Sequence, residues 1–403
     1  MKRDLTVGLS LSLSGRYAPM GRQAEAALRL WAQEVNANGG IRVADGARRV
    51  ILECFDDESR VERVREIYRE LCFGRRADLL LGPYSSSLTR AAATIAEQAQ
   101  RPLLNHGGAA DRVQDGSAMT ISVLSPASDY LVRFIELLAT LKFWRKRLAI
   151  ASSGTAFAEA IAAGAETAAT RRRMRLHGVR LRVKFRGRFD AEHTPELLVR
   201  TLRRNRINAF VSAGSYEHDL AMMRVATGAE LSIPVLGCVA AGITRFRTDL
   251  GEAAEGIVGT SQWEPEADIR PGLGPAPAEF ARRLRGLVGE CDYPAAQSYA
   301  AALIVTAAVT AAESLESARL RAALVGLKTR TLFGDYAVDP RTGRQVGHQM
   351  LLVQWHRGHK ELIRPQFGEA EAHLELPSAW QLLFPAQAYA RLHRARSDDE
   401  DKV

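Results

Sequence analysis

Two adjacent serines, Ser86 and Ser87, lie where a predicted strand passes into a predicted helix. At such a position a hydroxyl group and the unpaired N–H groups of the first helical turn can bind a carboxylate, with the positive end of the helix dipole behind them. A serine that only caps the helix gives the same pattern, because serine is a preferred N-cap residue. The pair therefore indicates either an anion-binding site or a helix cap.

The sequence lacks the common signatures of nucleotide binding and of a serine nucleophile. The loop at residues 15–21 has no G-x-G-x-x-G glycines, and neither G-x-x-x-x-G-K-[ST] nor G-x-S-x-G occurs in the chain. Residues 153–155 follow a predicted strand and resemble a nucleophile turn, but a ligand-binding loop explains them equally well. We expect no catalytic residue, and a protein that is not an enzyme.

Candidate metal ligands are few and poorly spaced. Asp56 and Asp57 could bind a metal, but an adjacent pair at a strand end more often forms a turn and a helix N-cap. His348, His356 and His359 fall in predicted strand and turn rather than on one helical face, which favours surface histidines. We expect no metal and no cofactor.

The four cysteines are too dispersed for a C-x-x-C motif and too few for a disulfide scaffold. Buried free thiols are the favoured state. A bridge between Cys54 and Cys72 remains an alternative if the chain is exported, because both residues fall in the same half of the protein.

Strand and helix patterns alternate along the chain, which predicts βαβ units and parallel sheets. Predicted strands cover residues 5–13, 50–55, 78–81, 102–105, 120–123, 148–152, 179–185, 209–212 and 235–238. Predicted helices start near Gly21 and stop at residues 38–40, and cover residues 61–72, 87–98, 129–141, 157–172, 195–204 and 216–227. Beyond Gly259, helices at 277–287 and 294–313 precede strands at 334–338 and 349–355. This pattern predicts an α/β fold of two doubly wound parallel-sheet lobes, with a charged, disordered end at residues 397–403.

The bulk composition narrows the function classes. A chain of 403 residues can form two or three domains, and 46% hydrophobic with 25% charged residues is typical of a folded protein. The net charge of +9 comes from arginine, which is densest at residues 171–188. Because no helix-turn-helix or zinc spacing accompanies this cluster, we expect a solvated face and no nucleic-acid partner. The alanine-rich run at 295–312 is short and weakly hydrophobic, so we expect no membrane insertion.

Four segments resemble the type I periplasmic solute-binding proteins, in particular the branched-chain amino acid (Leu/Ile/Val)-binding family of ABC importers. They match in letters, order and spacing: L-S-L-S-G-R-Y-A-P-M-G at 11–21, E-V-N-A-N-G-G-I at 34–41, F-D-D-E-S at 55–59 and L-L-L-G-P-Y-S-S-S at 79–87. The similarity returns at G-H-Q-M-L-L-V-Q-W, residues 347–355, and extends to about residue 365.

The resemblance implies a domain layout and a ligand site. The N-terminal lobe would comprise residues 1–121 and 262–338, the C-terminal lobe 122–261 and 339–365, and a C-terminal extension 366–403, with a hinge of three crossovers. Ligand-binding residues follow from the aligned positions and from the loops after predicted strands: Tyr17, Met20, Ser86, Ser87, Gly108, Ala110, Phe157, Tyr216, Val239 and Trp263.

Two aligned positions depart from the family. Ala110 replaces a threonine hydroxyl, which leaves the backbone N–H groups of Gly108 and Ala110 as donors to a carboxylate. Val239 replaces the glutamate that neutralises the ligand's ammonium. Because a buried ammonium without a counter-charge costs several kcal/mol, the expected ligand is a carboxylate or amide with an apolar or aromatic body, not a zwitterionic α-amino acid. An alternative is that Glu217 or Asp219 takes over the lost carboxylate.

The resemblance implies a receptor that closes two lobes over a small-molecule ligand and is recognised by an ABC permease or a regulatory protein. The family is periplasmic, whereas the alternating Leu/Ser pattern of residues 1–13 does not resemble a signal peptide. The alternative is therefore a cytoplasmic small-molecule sensor or negative regulator of the amide-binding kind on the same fold.

Overall fold

The computed structural model of the chain describes residues 4–74, 76–140, 146–175, 181–188, 195–228 and 231–363. The predicted C-terminal extension at 366–403 lies outside these residues, as do most side chains of the arginine-rich segment at 171–188.

The first lobe contains a five-stranded parallel sheet. Its elements are β1 (Leu5–Leu11), α1 (Ala18–Ala37), β2 (Ile41–Val43), β3 (Gly46–Arg48), β4 (Val50–Asp56), α2 (Val61–Phe73), β5 (Leu79–Leu81), α3 (Ser86–Gln98), β6 (Leu103–Asn105) and β7 (Thr120–Ser122). The strand order is β4-β1-β5-β6-β7, and β2 and β3 form a separate hairpin. Strands β1 and β5 are almost wholly buried, as expected of a parallel sheet with helices on both faces.

The second lobe contains a seven-stranded sheet. After a short 3₁₀ turn (Ala127–Asp129), its elements are α4 (Val132–Thr140), β8 (Lys146–Ser152), α5 (Ala156–Arg175), β9 (Leu181–Arg188), α6 (Pro195–Arg204), β10 (Ala209–Ala213), α7 (Tyr216–Gly228), β11 (Val235–Cys238), α8 (Arg245–Leu250) and β12 (Val258–Ser261). The chain then continues through α9 (Pro277–Val288), α10 (Tyr293–Ala312), α11 (Ser317–Gly326), β13 (Thr329–Thr331), β14 (Gly334–Tyr336), β15 (Leu351–His356) and β16 (His359–Leu362). Of these elements, β15 and β16 join the sheet of the second lobe, and β13 and β14 form a separate two-stranded sheet. The strand order is β16-β15-β12-β11-β10-β8-β9, with β15 and β16 antiparallel.

The parallel strands follow the same order in both sheets. In each lobe the first strand lies between the second and the third, which gives β4-β1-β5 in the first lobe and β9-β8-β10 in the second. The connections after the first and third strands of each set therefore leave on opposite faces and open a crevice at the carboxyl ends. The predicted fold class, two doubly wound lobes of the type I periplasmic-binding-protein fold, is confirmed.

Helices α9 and α10 return to the first lobe and pack on α1. The indole Nε1 of Trp31 donates to Thr306 Oγ1 at 3.2 Å, and Arg283 pairs with Glu34 at 2.8 Å. The chain thus passes between the sheets three times: after β7, after β12 and between β14 and β15.

Helix α10 is long and apolar enough to cross a membrane by length and composition, contrary to the expectation of a short run. However, 67% of that stretch is buried inside the protein. It is therefore placed as the core helix of the first lobe.

Several boundaries differ from the sequence prediction. Helix α1 begins at Ala18, three residues before Gly21, because Pro19 fits the first turn of a helix. The elements without a counterpart in the prediction are the hairpin β2–β3, the strands β12, β13 and β16, and the helices α8 and α11.

Two helix glycines differ sharply in their surroundings, and we predict opposite effects of alanine. A Cβ at Gly164 in α5 would lie 1.9 Å from the carbonyl oxygen of Ser128, so Gly164→Ala should lower the free energy of unfolding by about 1–3 kcal/mol. No atom lies within 4 Å of a Cβ at Gly286 in α9, so Gly286→Ala should raise it by about 0.5–1 kcal/mol. Urea denaturation of both variants measures this contrast, and an unchanged Gly164→Ala protein would contradict it.

Candidate functional site

A cavity of about 500 Å³ lies in the crevice between the lobes. The loops after β1, β5 and β6 contribute one wall, and the loops after β8, β10 and β11 contribute the other. All six loops follow the carboxyl ends of parallel strands, where open α/β sheets bind ligands. We refer to this space as the interlobe cavity.

Most of the predicted ligand-binding residues lie around the interlobe cavity. Those that line it are Tyr17, Met20, Ser86, Ser87, Ala110, Phe157, Tyr216 and Val239. Gly108 and Trp263 are not among the lining residues. Ser86 and Phe157, from different lobes, thus share one cavity.

Ser86 is not the cap of α3. The N-cap is Ser85, whose hydroxyl oxygen accepts a hydrogen bond from the N–H of Leu88 at 3.5 Å. Ser86 and Ser87 occupy the first two helical positions, whose N–H groups have no acceptor within the helix. The Ser86 oxygen accepts from the N–H of Ala110 at 2.9 Å, which leaves its own proton available to a ligand.

The two predicted backbone donors are used inside the protein. The N–H of Gly108 donates to Asn105 Oδ1 at 2.8 Å, and that of Ala110 donates to Ser86. Asn105 is held in turn by its own donation to Ser122 Oγ at 2.8 Å. Both N–H groups are therefore engaged within the protein, contrary to the expectation that they meet the ligand.

Positive charge at the interlobe cavity comes from Arg16, Arg90 and Arg112, which the sequence analysis missed. Arg90 lies four residues after Ser86 on α3 and so shares its face of the helix. Arg112 pairs with Asp115 at 2.8 Å, whereas within the described ranges neither Arg16 nor Arg90 pairs with a carboxylate. The serine end of the cavity thus carries unneutralised positive charge.

Aromatic side chains form much of the remaining wall. Tyr17 meets Tyr84 edge to face at 5.9 Å between ring centroids, and Tyr130 meets Phe157 at 5.5 Å. The hydroxyl groups of Tyr84 and Tyr293 are 2.9 Å apart. Burial raises the pKa of Tyr84, Tyr130 and Tyr293, so these phenols are neutral at ordinary pH. Tyr84 lies in one of the loops after predicted strands where the ligand site was expected, whereas Tyr130 and Tyr293 were not expected there.

Neither proposed substitute for the lost glutamate occupies a buried position facing the ligand. Asp219 is fully buried, accepts from Ser212 Oγ at 2.8 Å and from the Ala240 N–H at 3.0 Å, and does not line the cavity. Glu217 lines the cavity but is exposed. Val239 therefore presents an apolar surface where the resemblance implies a carboxylate.

Trp263 belongs to the core rather than to the ligand site. It is 1% exposed and meets Phe280 edge to face at 5.9 Å. Phe280 continues the stack to Tyr299 at 4.8 Å. Its aromatic surface is already covered, so the expectation that it stacks on a ligand is not supported.

Asp56 and Asp57 hold the loop after β1. Asp57 accepts from Ser10 and Ser12 hydroxyls at 2.9 and 2.6 Å, and Asp56 accepts from Ser14 Oγ at 2.7 Å. The N-cap of α2 is Arg60, so the predicted capping role is wrong. The pair fixes the segment that carries Arg16 and Tyr17 to the cavity. Within the described ranges, no group of three or more His, Cys, Asp or Glu residues is placed to hold a metal ion.

The three crossovers meet in one hydrogen-bonded cluster, which we call the hinge cluster: Ser125, Gln262 and His348. The Ser125 N–H donates to Gln262 Oε1 at 3.1 Å, and its hydroxyl lies 2.6 Å from His348 Nδ1. His348 Nε2 lies 2.9 Å from the Gln262 carbonyl oxygen. Gln262 also lines the interlobe cavity and donates to Tyr130 OH at 2.7 Å. The hinge cluster therefore touches the ligand site.

His348 is not a surface histidine. It is 7% exposed, and burial lowers its pKa to about 4, so the ring is neutral near pH 7. The neutral ring carries its proton on Nε2, which donates to the Gln262 carbonyl oxygen, because a carbonyl oxygen can only accept. Nδ1 then has no proton and accepts from the Ser125 hydroxyl. His359 is exposed, as predicted.

A buried charge cluster joins β16 to α10. Lys360 pairs with Glu264 at 3.0 Å and with Asp292 at 3.4 Å, and it donates to the Gly242 carbonyl at 2.8 Å. Both carboxylates are at most 3% exposed. Burial raises the pKa of Glu264 to about 7, with Lys360 acting against the rise. One lysine thus faces two carboxylates, and one of them titrates near neutral pH.

All four cysteines are free, and Cys72, Cys238 and Cys291 are buried. Burial raises the pKa of the Cys72 thiol to about 11, so the thiol form predominates. Buried free thiols, the favoured prediction, are confirmed for these three.

Two similar lobes around a cavity lined by strand-end loops define a solute-binding protein. A family model described as "Periplasmic binding protein" matches residues 4–360. The chain belongs to that periplasmic binding protein family.

Solved structures with the same fold include transport-associated binding proteins. A branched-chain amino acid transporter substrate-binding protein, LivJ of Streptococcus pneumoniae, solved with isoleucine, is 18% identical with a TM-score of 0.74, covering 90% of this chain and 100% of its own. A solute-binding protein of an ABC transporter from Rhodopseudomonas palustris, solved with 3,4-dihydroxybenzoic acid, is 18% identical with a TM-score of 0.74, covering 93% and 99%. A putative branched-chain amino acid ABC transporter protein from Rhodospirillum rubrum is 22% identical with a TM-score of 0.69, covering 90% and 100%.

Proposed function

We propose that this protein is the solute-binding component of an ABC importer and that it closes its lobes over a small organic carboxylate with an aromatic body. The observation that carries the proposal is the charge distribution around the interlobe cavity. Ser86 and Arg90, which pairs with no carboxylate within the described ranges, offer donors to a negative group, whereas Val239 offers no acceptor to a positive one.

The energetic argument concerns the ligand's ammonium. An ammonium enclosed against Val239 loses its hydration without gaining a buried counter-charge, at a cost of several kcal/mol. A benzoate-like ligand avoids that cost and places its ring against Phe157 and Tyr130, where aromatic pairs add about 0.5–1.5 kcal/mol each. The Rhodopseudomonas palustris structure with 3,4-dihydroxybenzoic acid supports this ligand class on the same fold.

Calorimetric titration with benzoate, acetamide and leucine tests the proposal. We expect benzoate to bind most tightly, acetamide more weakly because it lacks the charge, and leucine least. Leucine binding as tight as that of benzoate would overturn the proposed ligand class and restore the amino acid specificity of the Streptococcus pneumoniae structure.

Ser86→Ala should weaken benzoate binding by roughly 10- to 100-fold, because a hydrogen bond to a charged group contributes about 1.5–3 kcal/mol. The variant also removes the acceptor of the Ala110 N–H. Thr94→Ala, about two turns further along the same helix and outside the lining of the cavity, is the matched control and should leave the affinity unchanged. Titration of both variants with benzoate measures the effect, and equal affinities would remove Ser86 from the site.

We further propose that the protein works outside the cytoplasmic membrane beside a permease. Cell fractionation followed by immunoblotting of the native protein tests the location. Recovery in the periplasmic fraction is expected, and recovery in the cytoplasm would favour the amide-type sensor on the same fold instead.

A further inference from the structure

Gln297 lies on α10 in the wall of the interlobe cavity and is 1% exposed. Its side-chain oxygen Oε1 is buried and has no hydrogen-bond partner within the described part of the chain. Buried polar atoms are almost always paired, so an unpaired one in a cavity wall indicates a partner that the protein itself does not provide.

The position of Gln297 is fixed by its neighbours on α10. Tyr293, one turn earlier on the same face, meets Tyr84 through the two hydroxyl groups at 2.9 Å. Ser298, the next residue, lies 3.0 Å from His106 Nδ1 and donates to the Pro294 carbonyl at 2.7 Å. These contacts set the rotation of the helix, so the Gln297 amide is held toward the cavity.

None of the hydroxyl groups around the cavity bonds to Gln297 Oε1 within the described part of the chain. Those of Tyr84 and Tyr293 bond to each other, and that of Tyr130 accepts from Gln262 at 2.7 Å. The Ser86 hydroxyl faces Ala110. Because none of these hydroxyl groups bonds to Gln297, a molecule held in the cavity is the expected donor.

We propose that Gln297 is a specificity-determining residue that accepts a hydrogen bond from the ligand, and that the ligand is a hydroxyl-substituted aromatic carboxylate. This inference rests on the proposed function and narrows it. A site built to hydrogen-bond a hydroxyl group discriminates strongly against an analogue that lacks it, because its own polar atom then stays unpaired.

The test is a calorimetric titration of the wild-type protein and of Gln297→Leu with benzoate and with 2-, 3- and 4-hydroxybenzoate. We expect at least one hydroxybenzoate to bind the wild type 10-fold or more tightly than benzoate. In Gln297→Leu that ratio should fall to within 3-fold of unity. Gln297→Met, which keeps an unbranched side chain, is a second variant with the same expected loss of preference.

A wild-type protein that binds benzoate but prefers no hydroxybenzoate would overturn this inference and leave the proposed function intact. The same holds if the preference survives in both Gln297 variants while their thermal unfolding midpoints match the wild type. Failure of the wild type to bind any of the four aromatic carboxylates would overturn the proposed function, and this inference with it.

Discussion

Val239→Glu should invert the ligand preference of the interlobe cavity. At a separation of about 4–6 Å, the introduced carboxylate would repel a bound carboxylate by about 3–4 kcal/mol at an effective dielectric constant of 20. Benzoate affinity should therefore fall at least 100-fold. The same carboxylate can neutralise an ammonium, so leucine should bind more tightly to the variant than to the wild type.

Val239→Gln is the matched control, because it has nearly the same shape as glutamate without the charge. Benzoate should bind this variant within about 10-fold of the wild type, and leucine should gain nothing. Titration of the three proteins with both ligands distinguishes charge from size. Wild-type benzoate affinity in Val239→Glu would place Val239 outside the ligand's reach.

Lys360→Met should give a large loss of stability. Removing the lysine leaves Glu264 and Asp292 buried without their cation, and breaking a buried ion pair in this way costs about 3–5 kcal/mol. Lys328→Met, at an exposed position, should change the free energy of unfolding by less than about 0.5 kcal/mol. Urea denaturation at pH 8 compares the two.

The loss in Lys360→Met should depend on pH. Burial raises the native pKa of Glu264 from 4.5 to about 7. Between these pH values the native state holds a proton that the unfolded state has released. The contribution of Glu264 to the free energy of unfolding therefore falls as pH rises. Without Lys360 the pKa rises further and the fall extends to higher pH. The difference between variant and wild type should therefore be larger at pH 8 than at pH 5, and a constant difference would argue against titration of Glu264.

The fold could be predicted from sequence because its main elements carry local patterns. Apolar strands alternate with helices such as α1, whose buried Ala24, Ala27, Leu28 and Trp31 recur at helical spacing. Strand β12, with the sequence VGTS, lacks such a run and is stabilised by its neighbours in the sheet. The hairpin β2–β3 did carry a signal, Asp45 followed by Gly46, which is typical of a tight turn.

In the candidate site, too, the positions set by local sequence patterns were predictable, whereas those set by tertiary packing were not. The loops that follow predicted strands do line the interlobe cavity, because parallel strands bring their carboxyl ends to one edge. Tyr130, Gln262, Tyr293 and Gln297 were missed, since they come from crossovers and from α10, and no local spacing relates residue 84 to residue 293. Gln297 did carry a sign, as a polar residue within a run of alanines. The internal use of the Gly108 N–H depends on the Asn105 side chain, which alignment alone does not reveal.

The hinge cluster closes a ring in which each crossover bonds to the other two. Bending one connection alone would break its hydrogen bonds to the other two, so we expect the lobes to open and close by a rotation in which all three connections bend together. Because neither Ser125 nor His348 lines the interlobe cavity, a substitution at either position should alter how often the crevice opens rather than which molecule it accepts.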